Sequence, residues 1–220
     1  MTLASSQNAT TLSKWRIATW DDYVAIRDGD GSERVKVFYH QGYLFADMGA
    51  EGIDHARFCD LLVMLFAFWF ARQPELTFDS LGRCQLEKIG YEAAAPDQVL
   101  YIGENAPKRQ SGERRFINLD QWRVPDLVGE VSDTTLASDL DEKKHLYAAL
   151  GIPEYWVIDV TALRVLAFRL DENQRYQQVE RSTALAGLPI SLLDATFAQI
   201  KNGNGSAAAW FAKQLVDLSR

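Results

Sequence analysis

Between Ile53 and Arg72 the chain carries a helical segment that water cannot surround. Phe58, Leu61, Leu62, Leu65, Phe66 and Trp69 recur at helical spacing, and apolar residues spread around most of the circumference. Such a helix must be covered on more than one side, and a sheet is its natural partner. Its longest unbroken apolar run, Leu61 to Ala71, is eleven residues. That is far short of the ~20 needed to span a bilayer. Pro74 ends the helix.

Around this segment the chain alternates strands and helices. Thr19 stands three residues before Asp22, an N-cap pattern that predicts a short helix to about Arg27. Val35–His40 and Tyr43–Asp47 read as a hairpin turning on Gln41-Gly42. Leu76–Phe78, Cys84–Ile89, Asp97–Ile102 and Asp126–Ser132 read as strands, and Ser138 to Leu150 as a second helix that stops at Gly151 before Pro153. Tyr155–Val160 and Arg164–Leu170 follow as strands, Leu192–Ile200 as a short helix, and Ser206–Leu218 as a last amphipathic helix after the joint at 201–205. The order predicts an α/β chain of the α+β type: one mixed β-sheet flanked by helices. Residues 1–14 read as a disordered tail, 15–200 as a single domain and 201–220 as joint plus helix.

The 220 residues carry a net charge of −7, which argues against a broad cationic surface that coats nucleic acid. It leaves room for an acidic site that collects a divalent ion. Cys59 and Cys84 are too few for a disulfide scaffold or a cysteine-based zinc site, so a reduced cytoplasmic protein is expected. The N-terminus lacks the apolar stretch of a signal peptide. No Gly-rich phosphate loop, G-x-S-x-G or H-E-x-x-H motif is present.

Two Pro-Asp pairs, Pro96-Asp97 and Pro125-Asp126, open predicted strands. In the second, Asp126, Val128, Glu130 and Ser132 share a face. Glu130, among Leu and Val, needs a partner if buried, either an ion pair or a metal ion. Asp126 cannot help it hold one ion, because four extended residues separate them by about 13 Å. Asp97, on an adjoining strand, can. As single residues, either aspartate also reads as a turn or cap residue. Beyond Glu130, Leu136, Leu140, Tyr147 and Leu150 define a helical stripe whose centre lies within about 20° of Lys143 and about 80° from Lys144. Lys143 therefore faces the sheet, or snorkels from it to solvent. Lys144 and His145 read as surface charges.

The run VPDLVGEVSDTTLASDLDEKKHLYAALGIPEYWVID resembles the signature of the Uma-type family of restriction endonucleases, within the PD-(D/E)xK nuclease superfamily. MGAEGIDHARF and APDQVLYI resemble the family's upstream stretches, and the likeness extends over roughly residues 20–170. It implies a restriction-endonuclease-like core and a metal-dependent endonuclease using Mg²⁺ or Mn²⁺ on nucleic acid, DNA before RNA. Position by position it implies Asp97 and Glu130 as metal ligands and catalytic residues. The lysine usually found two residues after the glutamate is replaced by Ser132, and the match falls instead on Lys143. His55, Asp54 and Asp126 are further candidates, with Asp47 beside them, although a histidine in a first helical turn is as readily structural. Lys108, Arg109, Arg114 and Arg115 would meet phosphates, or form a solvated loop. Trp156 and Tyr155 read as sheet core. Two other functions keep the same residues: an inactive nuclease-like binding module, and a hydrolase of small phosphoesters. A homodimer is expected if both strands of a duplex are cut.

Overall fold

In the computed structural model, which describes residues 14–29, 35–47, 51–109, 111–112 and 116–217, the strands form two six-stranded sheets. The first grows from the hairpin β2 (Lys36–His40) and β3 (Tyr43–Asp47). Its two-residue turn places Gln41 at φ 47° and Gly42 at φ 81°, the mirror-image turn that suits strand twist. The strand β1 (Arg16–Ile17) lies outside β3, while β6 (Glu92–Ala94), β5 (Gln85–Lys88) and β8 (Phe116–Asn118) continue beyond β2. Thr19 and Asp22 make the reciprocal cap of α1 (Trp20–Arg27), which buries Tyr23 against Val37, Tyr39 and Leu44.

The second sheet runs in the order β12 (Tyr176–Gln178), β11 (Arg164–Leu170), β10 (Glu154–Asp159), β9 (Leu127–Ser132), β7 (Gln98–Ile102) and β4 (Phe78–Ser80). All its pairs are antiparallel except β9 with β10. One face carries α2 (Ile53–Phe70), with Phe58, Leu62 and Phe66 in a core shared with Val131, Trp156 and Ile158. The helices α5 (Ile190–Phe197) and α6 (Asn204–Asp217) close that core through Phe197, Phe211 and Leu215. The other face meets the first sheet and two short helices, α3 (Leu136–Leu140) and α4 (Glu142–Ala149). Both faces are therefore dry, which is why Tyr155 and Trp156 are fully buried.

The mixed β-sheet flanked by helices expected from sequence is present, and a second mixed sheet accompanies it. The strands β1, β6, β8 and β12 span two or three residues each and carry no readable alternation. The expected helix over Ser138–Leu150 is broken at Asp141, whose φ −121° and ψ −89° lie outside the helical range. The strand at Leu76–Phe78 begins at Phe78 instead. Among the described residues no helix is long and apolar enough to cross a membrane.

Candidate active site

Alternation along β9 decides which side chains enter the site. Leu127 and Val131 face α2, so Val128 and Glu130 face the first sheet and α4. The pairing Gln98↔Gly129 and Val99↔Val128, continued by one step, sets Asp97 opposite Glu130. The two carboxylates thus come from neighbouring strands and act on one another electrostatically.

Asp97 is 3% exposed and fully engaged. Its Oδ2 accepts from the Val131 backbone N–H at 2.8 Å and faces His55 Nε2 at 3.1 Å, while Oδ1 meets the Lys36 ammonium. Burial alone would raise this carboxyl, but the hydrogen bond from His55 and the charge of Lys36 outweigh it and hold the pKa well below the usual range. His55 moves the other way. Burial opposes its charge, yet the bonds to Asp97 and Cys59 lift its pKa to about 10.

Glu130 sits deeper, at 2% exposure. Tyr147 donates to its Oε1, and Lys143 Nζ lies 3.2 Å from its Oε2. Burial pushes the Glu130 carboxyl up to about 8, against the attraction of Lys143 and with added repulsion from Asp97 and Asp139. The same Lys143 ammonium pairs with Asp139 at 2.8 Å and lies over the Phe38 ring at 4.5 Å. Burial disfavours its charge, but Glu130 and Asp139 together hold it protonated, with its pKa raised. Asp139 in turn accepts from Ser132 and, at 2.7 Å, from Thr135.

Lys36, on β2, ties the cluster together. Its ammonium contacts Asp97, lies 3.5 Å from Glu51 and feels Glu130. Glu51 is itself held by Arg83 at 2.7 Å. Two carboxylates therefore meet at a position already taken by a positive charge, with Glu130 acting on it electrostatically.

The structure brings Asp97, Glu130, Lys143 and His55 to one place and leaves the other candidates outside it. Asp126 lies at the opposite end of β9, where it accepts from the Ile102 N–H at 2.6 Å and from Arg123 at 2.8 Å. Asp54 points to solvent and pairs with Arg57 at 3.2 Å. Asp47 ends β3, in register with Lys36. Lys108 and Arg109 are exposed; Arg114 and Arg115 lie outside the described residues. Lys144 is not the solvated charge expected, since its ammonium rests 3.9 Å above the Phe168 ring. Sequence reading missed Lys36, Asp139 and the Tyr147 hydroxyl. Tyr147 was read as part of an apolar stripe, Asp139 had only its place four residues before Lys143 to mark it, and Lys36 carries no local signal.

A solved structure titled a putative nuclease belonging to DUF820, from Anabaena variabilis, superposes with a TM-score of 0.53 at 17% identity, covering 80% of this chain and 97% of that one. That likeness speaks for the fold. No curated protein matches the chain significantly. The model of the Uma2 family, described as putative restriction endonuclease, matches residues 20–198. With most of its length so matched, the chain belongs to the Uma2 family.

Proposed function

We propose that the chain is a metal-dependent endonuclease acting on the phosphodiester bonds of DNA, with Asp97 and Glu130 holding Mg²⁺ or Mn²⁺ and Lys143 as catalytic cation. The observation that carries this reading is the ammonium of Lys36, set against Asp97 and Glu51 within reach of Glu130's charge. A cation already stands where carboxylates from separate elements meet. The oxygen donors of Asp97 and Glu130 suit a hard dication, so the residues fit such an ion once Lys36 withdraws along its partly exposed stem. When bound, that ion supplies Lewis acidity toward a phosphate oxygen and lowers the pKa of a bound water.

The chain's own groups do the rest. Lys143, clamped between Glu130 and Asp139, is a fixed positive charge beside the place where the phosphoryl group gains negative charge, and needs no reorganisation to act. Tyr147 fixes the Glu130 carboxyl by donating to it. His55 and Lys36 keep Asp97 ionised. Glu130 must shed its proton before it can ligate, so affinity for the ion rises with pH toward 8. Two copies acting together would cut both strands of a duplex, and a reduced compartment such as the cytoplasm suits the free thiols Cys59 and Cys84.

The test is incubation with plasmid, single-stranded DNA and RNA, each with Mg²⁺, Mn²⁺ or chelator. Plasmid nicking that chelator stops and Lys143→Ala abolishes is expected. Binding of the ion without cleavage of any polynucleotide would replace the nuclease by a binding module. Phosphate release from mononucleotides alone would replace it by a small-phosphoester hydrolase.

A further inference from the structure

His55 and Cys59 lie one turn apart on the same face of α2, and the mechanism above makes no use of the thiol. Cys59 Sγ is 3.6 Å from His55 Nδ1, and one donor atom from each of His55, Cys59 and Asp97 falls within 4.8 Å of the other two. We propose that these three residues form a second cation site, selective for a thiophilic dication such as Zn²⁺, that shares Asp97 with the Mg²⁺ centre and so excludes Mg²⁺ when filled.

The ligand chemistry separates the two sites. Glu130 and Asp97 offer only oxygen, whereas Cys59 adds sulfur and His55 nitrogen, a set that favours Zn²⁺ and disfavours Mg²⁺. Around a tetrahedral Zn²⁺, bonds of about 2.0–2.3 Å put neighbouring ligand atoms about 3.3–3.8 Å apart. The observed spread of up to 4.8 Å closes with a shift of about 1 Å. The surrounding backbone is fixed, because Gln98 Nε2 donates to the Cys59 carbonyl at 3.2 Å and Asp97 is anchored by Val131. The groups that must yield are at the mouth. Arg83, half-exposed, acts electrostatically on Cys59 and pairs with Glu51, and Lys36 covers Asp97 from the first sheet. Both are long side chains with a path to water. Binding strips the thiol of its proton and frees His55 from its present hydrogen bonds, so protons are released. With three protein ligands, the fourth position stays open to water.

The switching consequence rests on the nuclease reading; the binding itself does not. The whole chain, freed of metal and kept reduced, is titrated with Co²⁺ as a spectroscopic stand-in for Zn²⁺. A thiolate-to-cobalt charge-transfer band saturating at one equivalent is expected, displaced by Zn²⁺ and lost in both Cys59→Ser and Cys59→Ala. It should survive in Cys84→Ser and in Glu130→Gln. No band in the wild-type chain, or one that persists without Cys59, overturns the site. X-ray absorption of the Zn²⁺-loaded wild-type chain gives a readout that does not depend on any variant folding. One sulfur at about 2.3 Å with nitrogen and oxygen at about 2.0–2.2 Å is expected, and an all-oxygen shell overturns it. If the chain cleaves DNA, micromolar Zn²⁺ should suppress the Mg²⁺-dependent reaction, and Cys59→Ala should need at least tenfold more Zn²⁺ for the same suppression. Equal suppression in both would refute the sharing of Asp97. A chain that cleaves nothing but gives the cobalt band loses the nuclease reading and keeps the site.

Discussion

Replacing Glu130 by Gln should make the metal-free protein more stable, by an amount that grows with pH. The carboxyl titrates near 4.5 when unfolded and is pushed up to about 8 by burial in the fold. Below pH 4.5 both states hold the proton and the group contributes no difference. Between 4.5 and 8 the folded state keeps a proton that the unfolded state has released, so stability falls as pH rises. The slope is about 1.4 kcal/mol per pH unit, which amounts to about 3 kcal/mol by pH 7. Gln cannot titrate and removes that slope. It still presents an oxygen to the Tyr147 hydroxyl, and Lys143 keeps Asp139 at 2.8 Å, so no charge is stranded. Urea unfolding of both proteins at pH 5, 6, 7 and 8 in chelator provides the measurement. The two stabilities should lie close together at pH 5 and diverge above it. Added Mg²⁺ should narrow the gap by stabilising only the wild type. A difference that stays constant from pH 5 to pH 8 would refute the reasoning, because it would mean that Glu130 is ionised in the fold throughout.

Lys143→Met should cost about 3 kcal/mol in urea unfolding at pH 7, since it leaves Asp139 buried without its cation. Lys144→Met loses only its place over Phe168 and should cost less than about 1 kcal/mol, so equal effects of the two would contradict the observed phase of α4. Asp126→Asn weakens the tie to Arg123 and should cost about 1 kcal/mol while leaving Mg²⁺ affinity, read by calorimetry, unchanged. Gly82→Ala touches no charge, yet a Cβ there would lie 2.6 Å from the Asp97 carbonyl oxygen, with backbone bonds of 2.9 Å and 3.0 Å on either side resisting retreat. It should cost about 1–3 kcal/mol and reduce any cleavage at least tenfold by displacing Asp97; wild-type stability and activity would show that the loop gives way freely.

The legible parts of the molecule were those that rest on local periodicity. The apolar wrap of the Ile53–Phe70 helix, the hairpin at Gln41-Gly42 and the cap at Thr19 can each be read within one window. Asp97 and Glu130 were also accessible, because strand rise alone rules out Asp126 as a companion and demands a neighbouring strand. Lys143 was reached through a helix longer than the one that exists. The stripe over Leu136–Leu150 crosses the break at Asp141, but Lys143, Leu146, Tyr147 and Leu150 lie beyond the break and are all buried. Lys36 was out of reach for the opposite reason. A lysine opening a hairpin strand acquires meaning only from what the two sheets bring against it, whereas Asp139 lies at i,i+4 to Lys143 and was passed over as one acid in a polar run. The division into two sheets escaped because β1, β6 and β8, which extend the hairpin into a sheet of its own, are too short to alternate.

Charge matching at the site separates structural residues from the one that stability does not explain. Asp97 meets two cations, Lys36 and His55, both also near Glu51, and its pKa is held down by them. Asp139 has Lys143 together with the hydroxyls of Ser132 and Thr135. Glu130 shares Lys143 with Asp139, and burial first, then repulsion from Asp97 and Asp139, raises its pKa against the attraction of that lysine. A dication reaching Glu130 and Asp97 would supply the missing positive charge and reverse that penalty. The buried carboxyl, the adjoining strands and the clamped lysine form one arrangement whose charge a dication would balance, which is what favours the proposed metal site.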